Sequence, residues 1–237
     1  MRSSSASGWP SSSNVPPRGL EPAGVALVDK PSGPSSFAVV AQIRRVTRAR
    51  TGHAGTLDPF ATGLLLLLSG RATKLAPALV GLDKRYLTEI DLSGRTSTGD
   101  PESDVLERRA PPSEDELHRS LERLRGEIEL PIPAASAVKI GGERAYKLAR
   151  RGVDVQMPMR RSTVHALEIV AYTGETVTLD LRVSSGTYVR SLALALGGHC
   201  VSLRRTEVGP FSVDDAVGPE AFTPERLLSE AEVLERV

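Results

Sequence analysis

Five consecutive leucines, Leu64 to Leu68, bounded by Gly63 and Gly70, constrain this chain more than any other feature. The run is far shorter than the roughly 20 apolar residues that span a bilayer. As a strand it would present leucine on both faces, because side chains alternate sides at every residue. A strand with no polar face has to lie inside a sheet that is covered on both sides. Such a layer needs a sizeable core, and 237 residues at 40% hydrophobic content can supply one large domain, alone or with small appendages.

The flanking segments supply layers for that strand. GVALVDKP, from Gly24, is a short apolar strand running into the turn residues Pro31, Ser32, Gly33 and Pro34. Residues 36–45 alternate apolar and basic groups at helical spacing, with Ser35 or Ser36 as N-cap. A loop over 51–63 leads into the leucines. Residues 86–92 form a further strand, and RTSTGDPESD (95–104) is a polar loop expected to order on binding a partner. Ser113 with Glu116 is a capping box opening a helix that carries Leu117, Leu121 and Leu124 on one face and stops at Gly126. Residues 137–140, 164–172 and 176–184 are expected as strands, the last two joined in a hairpin through Thr173, Gly174 and Glu175. Residues 144–151, 188–196 and 224–234 are expected as helices. No repeat of 20 to 50 residues is present. Strands separated by helices of unequal length, with a hairpin, imply an α+β (mixed α/β) domain rather than a strict βαβ repeat.

Composition narrows the chemistry. The formal charge of +1 provides no global basic field, so a nucleic acid would have to be met by a local patch. Cys200, the single cysteine, forms no internal disulfide or thiolate metal site and reads as an apolar filler, which fits a reducing, cytoplasmic compartment. Residues 1–23 are rich in Ser and Pro, lack the apolar core of a signal peptide, and read as a disordered tail. The chain is expected to be soluble, with no membrane segment. There is no GxGxxG and no GxxxxGK[ST], so nucleotide-cofactor and NTPase chemistry lose their usual support.

GHAGTLDPFATG, residues 52–63, is where chemistry concentrates. Asp58 is the only acidic residue between Asp29 and Asp83, and it is followed by a proline and a phenylalanine. On local pattern alone it serves equally as an Asx turn before proline or as a catalytic carboxylate. A lone carboxylate argues against glycoside hydrolysis, which ordinarily uses two, and against a metal site, which needs several ligands. It can act as a nucleophile or base, and burial would require a counter-charge. Arg190, in SSGTYVRS at a strand–helix junction, is a candidate partner and equally a solvated surface arginine. His53 has no second ligand at helical spacing, leaving structural hydrogen bonding, base stacking and proton transfer open. Arginine clusters at 44, 45, 48 and 50, at 150 and 151, at 160 and 161, and at 204 and 205 lie near Tyr86, Tyr146 and Tyr188, the pairing of charge and aromatic faces that RNA binding uses.

Taken in order, GVALVDKPSGPSS, GHAGTLDPFATGLLLLLSGRATK, DKRY, RTSTGD, SAVKIGGERAYKLARRG, SSGTYVRS and LRRTEVGPF resemble the TruB family of tRNA pseudouridine synthases over 24–211. The resemblance implies a core built on a mostly antiparallel mixed sheet flanked by helices, a catalytic domain over 24–212 and a short helical extension over 213–237. It implies isomerisation of uridine to pseudouridine at position 55 in the T-arm stem-loop of tRNA, without cofactor or metal, by a chain taken as a monomer. By the same resemblance Asp58 attacks the flipped nucleotide, Tyr86 stacks on the uracil, and Arg190 pairs with Asp58. Leu203 and Tyr188 line the base pocket, His53 supports the RNA, Lys30 sits near the site, and Arg204 belongs to the substrate-binding set.

Three departures accompany the resemblance. Ala135 stands where the family commonly has a tyrosine. The stretch from Arg190 to Leu203 is short, with the second half of a helix and its glycine turn expected to be missing. No PUA domain is expected after residue 212, which would weaken tRNA affinity. A non-catalytic tRNA-binding folding chaperone is the competing reading, disfavoured because binding alone would not require Asp58.

Overall fold

The computed structural model describes residues 22–136, 138–151, 153 and 155–237; the Ser/Pro-rich segment before residue 22 lies outside them. The chain runs β1 (Gly24–Lys30), α1 (Ser36–Thr47), β2 (Thr51–His53), β3 (Thr62–Ser69), α2 (Ala76–Gly81), β4 (Lys84–Asp91), β5 (Gly94–Thr96) and β6 (Val105–Arg108). It continues through α3 (Glu114–Glu122), β7 (Gly126–Pro131), β8 (Lys139–Ile140), β9 (Glu143–Arg144), α4 (Ala145–Arg150), β10 (Met159–Tyr172) and β11 (Thr176–Val183). The last elements are α5 (Val189–Ala195), β12 (His199–Val208), β13 (Phe211–Ser212) and α6 (Glu230–Arg236).

Among the described residues one large sheet runs β1-β3-β12-β4-β11-β10-β7, with β2 on β3 and β13 on β12. Its pairs are antiparallel except β12 with β3, which meet in parallel over Arg204↔Thr62 and Arg205↔Gly63. The architecture is the mixed α/β, mostly antiparallel sheet that the sequence implied.

The leucine run behaves as its lack of a polar face requires. Leu65 and Leu67 join Ala26, Val28 and Ile43 in one core. Leu64, Leu66 and Leu68 join Val25, Leu27, Val208 and Phe211 in another on the opposite face of the sheet. The segment after β13 closes this second core: Leu228 exchanges backbone bonds with Val25, and Val233 of α6 is buried in it. No helix among the described residues is long and apolar enough to cross a membrane.

Local signals account for most boundaries. Ser35 caps α1, its side chain accepting from the amide of Ala38, and Ser113 with Glu116 completes the capping box of α3. That helix ends at Glu122, and Gly126 opens β7 rather than stopping the helix. The strand expected over 137–140 shrinks to the two-residue arm β8, and residue 137 is not described. The helix expected over 224–234 divides into a 3₁₀ turn, Pro224–Arg226, and α6.

β12 is the main element without a sequence expectation. It follows α5 at once because Gly197, at φ +80°, reverses the chain and Gly198 packs where a Cβ would lie 2.2 Å from the Asp91 carbonyl. A glycine turn at Gly197 and Gly198 makes the short connection and places Leu203 on β12 opposite Thr88.

Candidate active site

Asp58 stands in the loop between β2 and β3, and two buried cations hold that loop from beneath. The Lys30 ammonium, at the end of β1, donates to the carbonyls of Pro31 (2.8 Å), Pro59 (3.0 Å) and Ala61 (2.7 Å). The Arg205 guanidinium, from β12, donates to those of Gly55 (3.1 Å), Thr56 (3.5 Å) and Leu64 (2.7 Å). Ser36 closes the clasp: its hydroxyl donates to the Leu57 carbonyl and accepts from the Leu57 amide, both at 2.9 Å. Irregular backbone half-buried against a core needs such partners for its polar groups.

Asp58 itself faces Arg190, the second residue of α5. Arg190 Nε donates to Asp58 Oδ2 at 2.9 Å and Nη2 to Oδ1 at 3.0 Å, a bidentate fork. The arginine side chain is 2% exposed and that of the aspartate 32%. A buried cation thus meets a carboxylate that opens toward solvent. The remaining donors of Arg190 are also used: Nη2 reaches the Ala135 carbonyl at 2.9 Å, and Nη1 reaches the Thr98 carbonyl at 2.9 Å and Asp100 Oδ2 at 3.4 Å. Three separate loops therefore converge on one planar group, with all five N–H donors engaged. Because Ala135 contributes its carbonyl, this contact does not depend on the side chain that differs from the family pattern.

Asp100 was not singled out from sequence. It is buried, and its Oδ1 accepts from the Thr98 hydroxyl (2.8 Å) and the Glu102 amide (3.1 Å), which holds RTSTGD in an internally bonded turn against Arg190. The same loop had read as a polar segment that orders only on binding.

An apolar wall adjoins the ion pair. Leu57, Tyr86, Val189 and Leu203 belong to one buried cluster, with Phe60 packed on it. Tyr86 on β4 lies directly across from Arg205 on β12. Leu203 is two residues before Arg205 and shares its side of the strand. Tyr188, the N-cap of α5, is half-buried, and burial pushes its phenol up from the ordinary range while the fields of Arg160 and Arg190 oppose the rise.

The other residues expected in the site fall differently. His53 on β2 has its imidazole pKa lowered by burial and by the Arg205 charge, and its ring meets the exposed Phe37 edge-on, centroids 5.3 Å apart. Its Nδ1 is buried with no hydrogen-bond partner among the described residues. Lys30 is fully buried behind the loop, its pKa lowered to about 8 chiefly by desolvation against the opposing field of Asp58. Its ammonium addresses backbone carbonyls. Arg204 forms a bidentate pair with Asp29 (3.1 and 2.8 Å), a residue of β1 between Val28 and Lys30 whose side chain faces away from theirs. Strand alternation therefore turns Arg204 to the reverse face of the sheet and brings Arg205 under the Asp58 loop.

Known proteins resemble this chain in sequence and fold. The family model for TruB family pseudouridylate synthase (N terminal domain) matches residues 44–189. A tRNA pseudouridine synthase B of Mycobacterium sp. (strain KMS) is 42% identical over 219 residues, covering 87% of this chain and 74% of that protein. One from Bordetella avium (strain 197N) is 40% identical, covering 86% and 88%. Among solved structures, a chain of a Cbf5-Nop10-Gar1 complex superposes with TM-score 0.62 at 31% identity, covering 82% of this chain. A chain of an H/ACA RNP bound to a substrate RNA containing 2'-deoxyuridine superposes with TM-score 0.61 at 27% identity, covering 84%. This chain spans about half the length of each of those two, 51% and 52%. The order of the motifs, the sheet and these matches lead to one assignment: the chain belongs to the TruB family of pseudouridylate synthases.

Proposed function

We propose that this chain converts uridine to pseudouridine at position 55 in the T-loop of tRNA, with Asp58 as the nucleophile. The observation that carries the reading is the Asp58–Arg190 fork: a carboxylate fixed at both oxygens by a buried guanidinium, one third exposed, beside an apolar wall. Capture by shape alone would not need a buried guanidinium paired to a partly exposed carboxylate, because such a pair is weak evidence of stability by itself.

In this reading the target nucleotide leaves the folded loop, at a cost of a few kcal/mol, and its uracil lies between Tyr86 and Leu203. Asp58 attacks either the sugar C1′ or the uracil ring; the N1–C1′ bond breaks, the base turns, C5 bonds to C1′, and the bond to Asp58 breaks to return the carboxylate. The proton on C5 is then lost and N1 regains one, so the product is an isomer and no redox or phosphoryl step occurs. Tyr86 packs on the ring and is the candidate for removing the C5 proton. Arg190 balances the charge of Asp58 before attack and orients its free lone pairs into the cleft. Tyr188 borders the same pocket, and His53 with Phe37 offers an aromatic edge to the displaced loop. We take the chain to act as a monomer in the cytoplasm.

The test is tritium release from a T-arm stem-loop labelled at C5 of its uridines, comparing the intact chain with Asp58→Asn. Release by the intact chain alone supports the isomerase and its nucleophile. Tight binding with no release from either would favour the non-catalytic chaperone. Equal release from an unrelated stem-loop would overturn the T-arm specificity.

A further inference from the structure

The loop that carries Asp58 is secured at both ends by one residue outside it. Gly55 and Thr56, before Asp58, accept from the Arg205 guanidinium; Leu64, after it, accepts from Arg205 Nε. Gly63 pairs with Arg205 in parallel and lies so close that a Cβ there would stand 2.2 Å from the Arg205 carbonyl. Arg205 is 1% exposed, and among the described residues its hydrogen-bond partners are backbone carbonyls, not carboxylates. A desolvated guanidinium without a counter-ion is costly, so stability alone does not explain it. Its charge also reaches its neighbours, lowering the pKa of His53, Lys30 and Lys84 alongside their burial.

We infer that Arg205 is a positioning residue that registers the Asp58 loop against the uracil pocket. β12 places Leu203 and Arg205 on one side, and Tyr86 lies across from Arg205, so the residue that holds the loop is built into the wall that receives the base. A rigid planar fork addresses three carbonyls at set angles; an ammonium on a flexible stem cannot reproduce that pattern. An ångström of misplacement at a nucleophile is worth about 100-fold in rate. The inference rests on the reading of Asp58 as nucleophile.

The experiment compares Arg205→Lys and Arg205→Ala with the intact chain and with Arg85→Gln, an exposed arginine paired with Asp180. Single-turnover pseudouridine formation in a T-arm stem-loop, stem-loop Kd, and amide hydrogen exchange over 54–64 are read on each. Both Arg205 variants should lose about 100-fold in rate, with Kd within about threefold and faster exchange over 54–64. Added guanidinium ion should recover part of the rate of Arg205→Ala, and Arg85→Gln should match the intact chain. Rate loss without faster exchange overturns the inference, as does a weakened Kd at unchanged rate, or unchanged rate throughout. Should Arg205→Ala fail to fold, Arg205→Lys decides. If the intact chain itself forms no pseudouridine, the enzymatic reading fails while the exchange data still judge the clamp.

Discussion

At the scale of single residues, the chemistry depends on how charges are distributed around one guanidinium. Arg190 serves Asp58 with two donors and spends the others on Thr98, Ala135 and Asp100. Asp58→Asn should abolish product formation while leaving tRNA affinity within about tenfold, roughly 1.4 kcal/mol, read by tritium release and filter binding. Arg190→Lys should lower kcat by 100-fold or more on the mutational scale of lost preorganised donors, because a point charge cannot span two carboxylates and two carbonyls; wild-type turnover would disprove the pairing role. Lys30 gives a prediction for pH. Its folded pKa of about 8 lies below the ordinary value of 10.5, so between those values the folded chain holds fewer protons than the unfolded one. Stability contributed at this position therefore rises with pH across that window and is lowest below it. The urea midpoint of the intact chain relative to Lys30→Met should climb from pH 8 to 10. Asp58 was legible as a candidate because it stands alone in a glycine-rich loop, yet its neighbours left a turn role equally open until Arg190 was seen to reach it. Arg204 and Arg205 look alike in sequence, and only the parity of β12 says which faces the loop.

At the scale of elements, capping chemistry and alternation were readable where exposed and buried positions differ in polarity. Ser113→Ala removes the hydroxyl that accepts from Glu116 and should destabilise the chain by about 1 kcal/mol without changing turnover, since α3 contributes no group to the site. β12 was not legible for a complementary reason: Arg205, at a buried position, reads as a surface residue and breaks the apolar alternation that marks a strand. β6 has all four residues exposed and carries no pattern at all. Gly63 looked like a boundary of the leucine run, but its packing against Arg205 makes it a contact point. Gly63→Ala sets a side chain at φ +101° against backbone, and should leave too little folded protein for a cooperative melting transition.

At the scale of the whole molecule, a chain with a net charge of +1 has to meet RNA through local patches. Arg44, Arg45, Arg48 and Arg50, at and after the end of α1, are all exposed, two turns or more from Phe37 at its start. Stem-loop affinity should therefore fall with salt despite the near-neutral total, and a log–log slope near zero would exclude phosphate contact by this patch. The sequence by itself determined the buried strand, the capped helices, the mixed α/β class and the loop in which chemistry resides, because these follow from periodicity and turn chemistry within a few residues. Arg190 reaching Asp58 across 132 positions of chain was implied by the family resemblance and not by local pattern, whereas tertiary structure alone decided that Asp100 joins them and that Arg205 rather than Arg204 faces the loop. Those outcomes depend on which strands become neighbours and on the parity of a buried strand, which are properties of the assembled sheet.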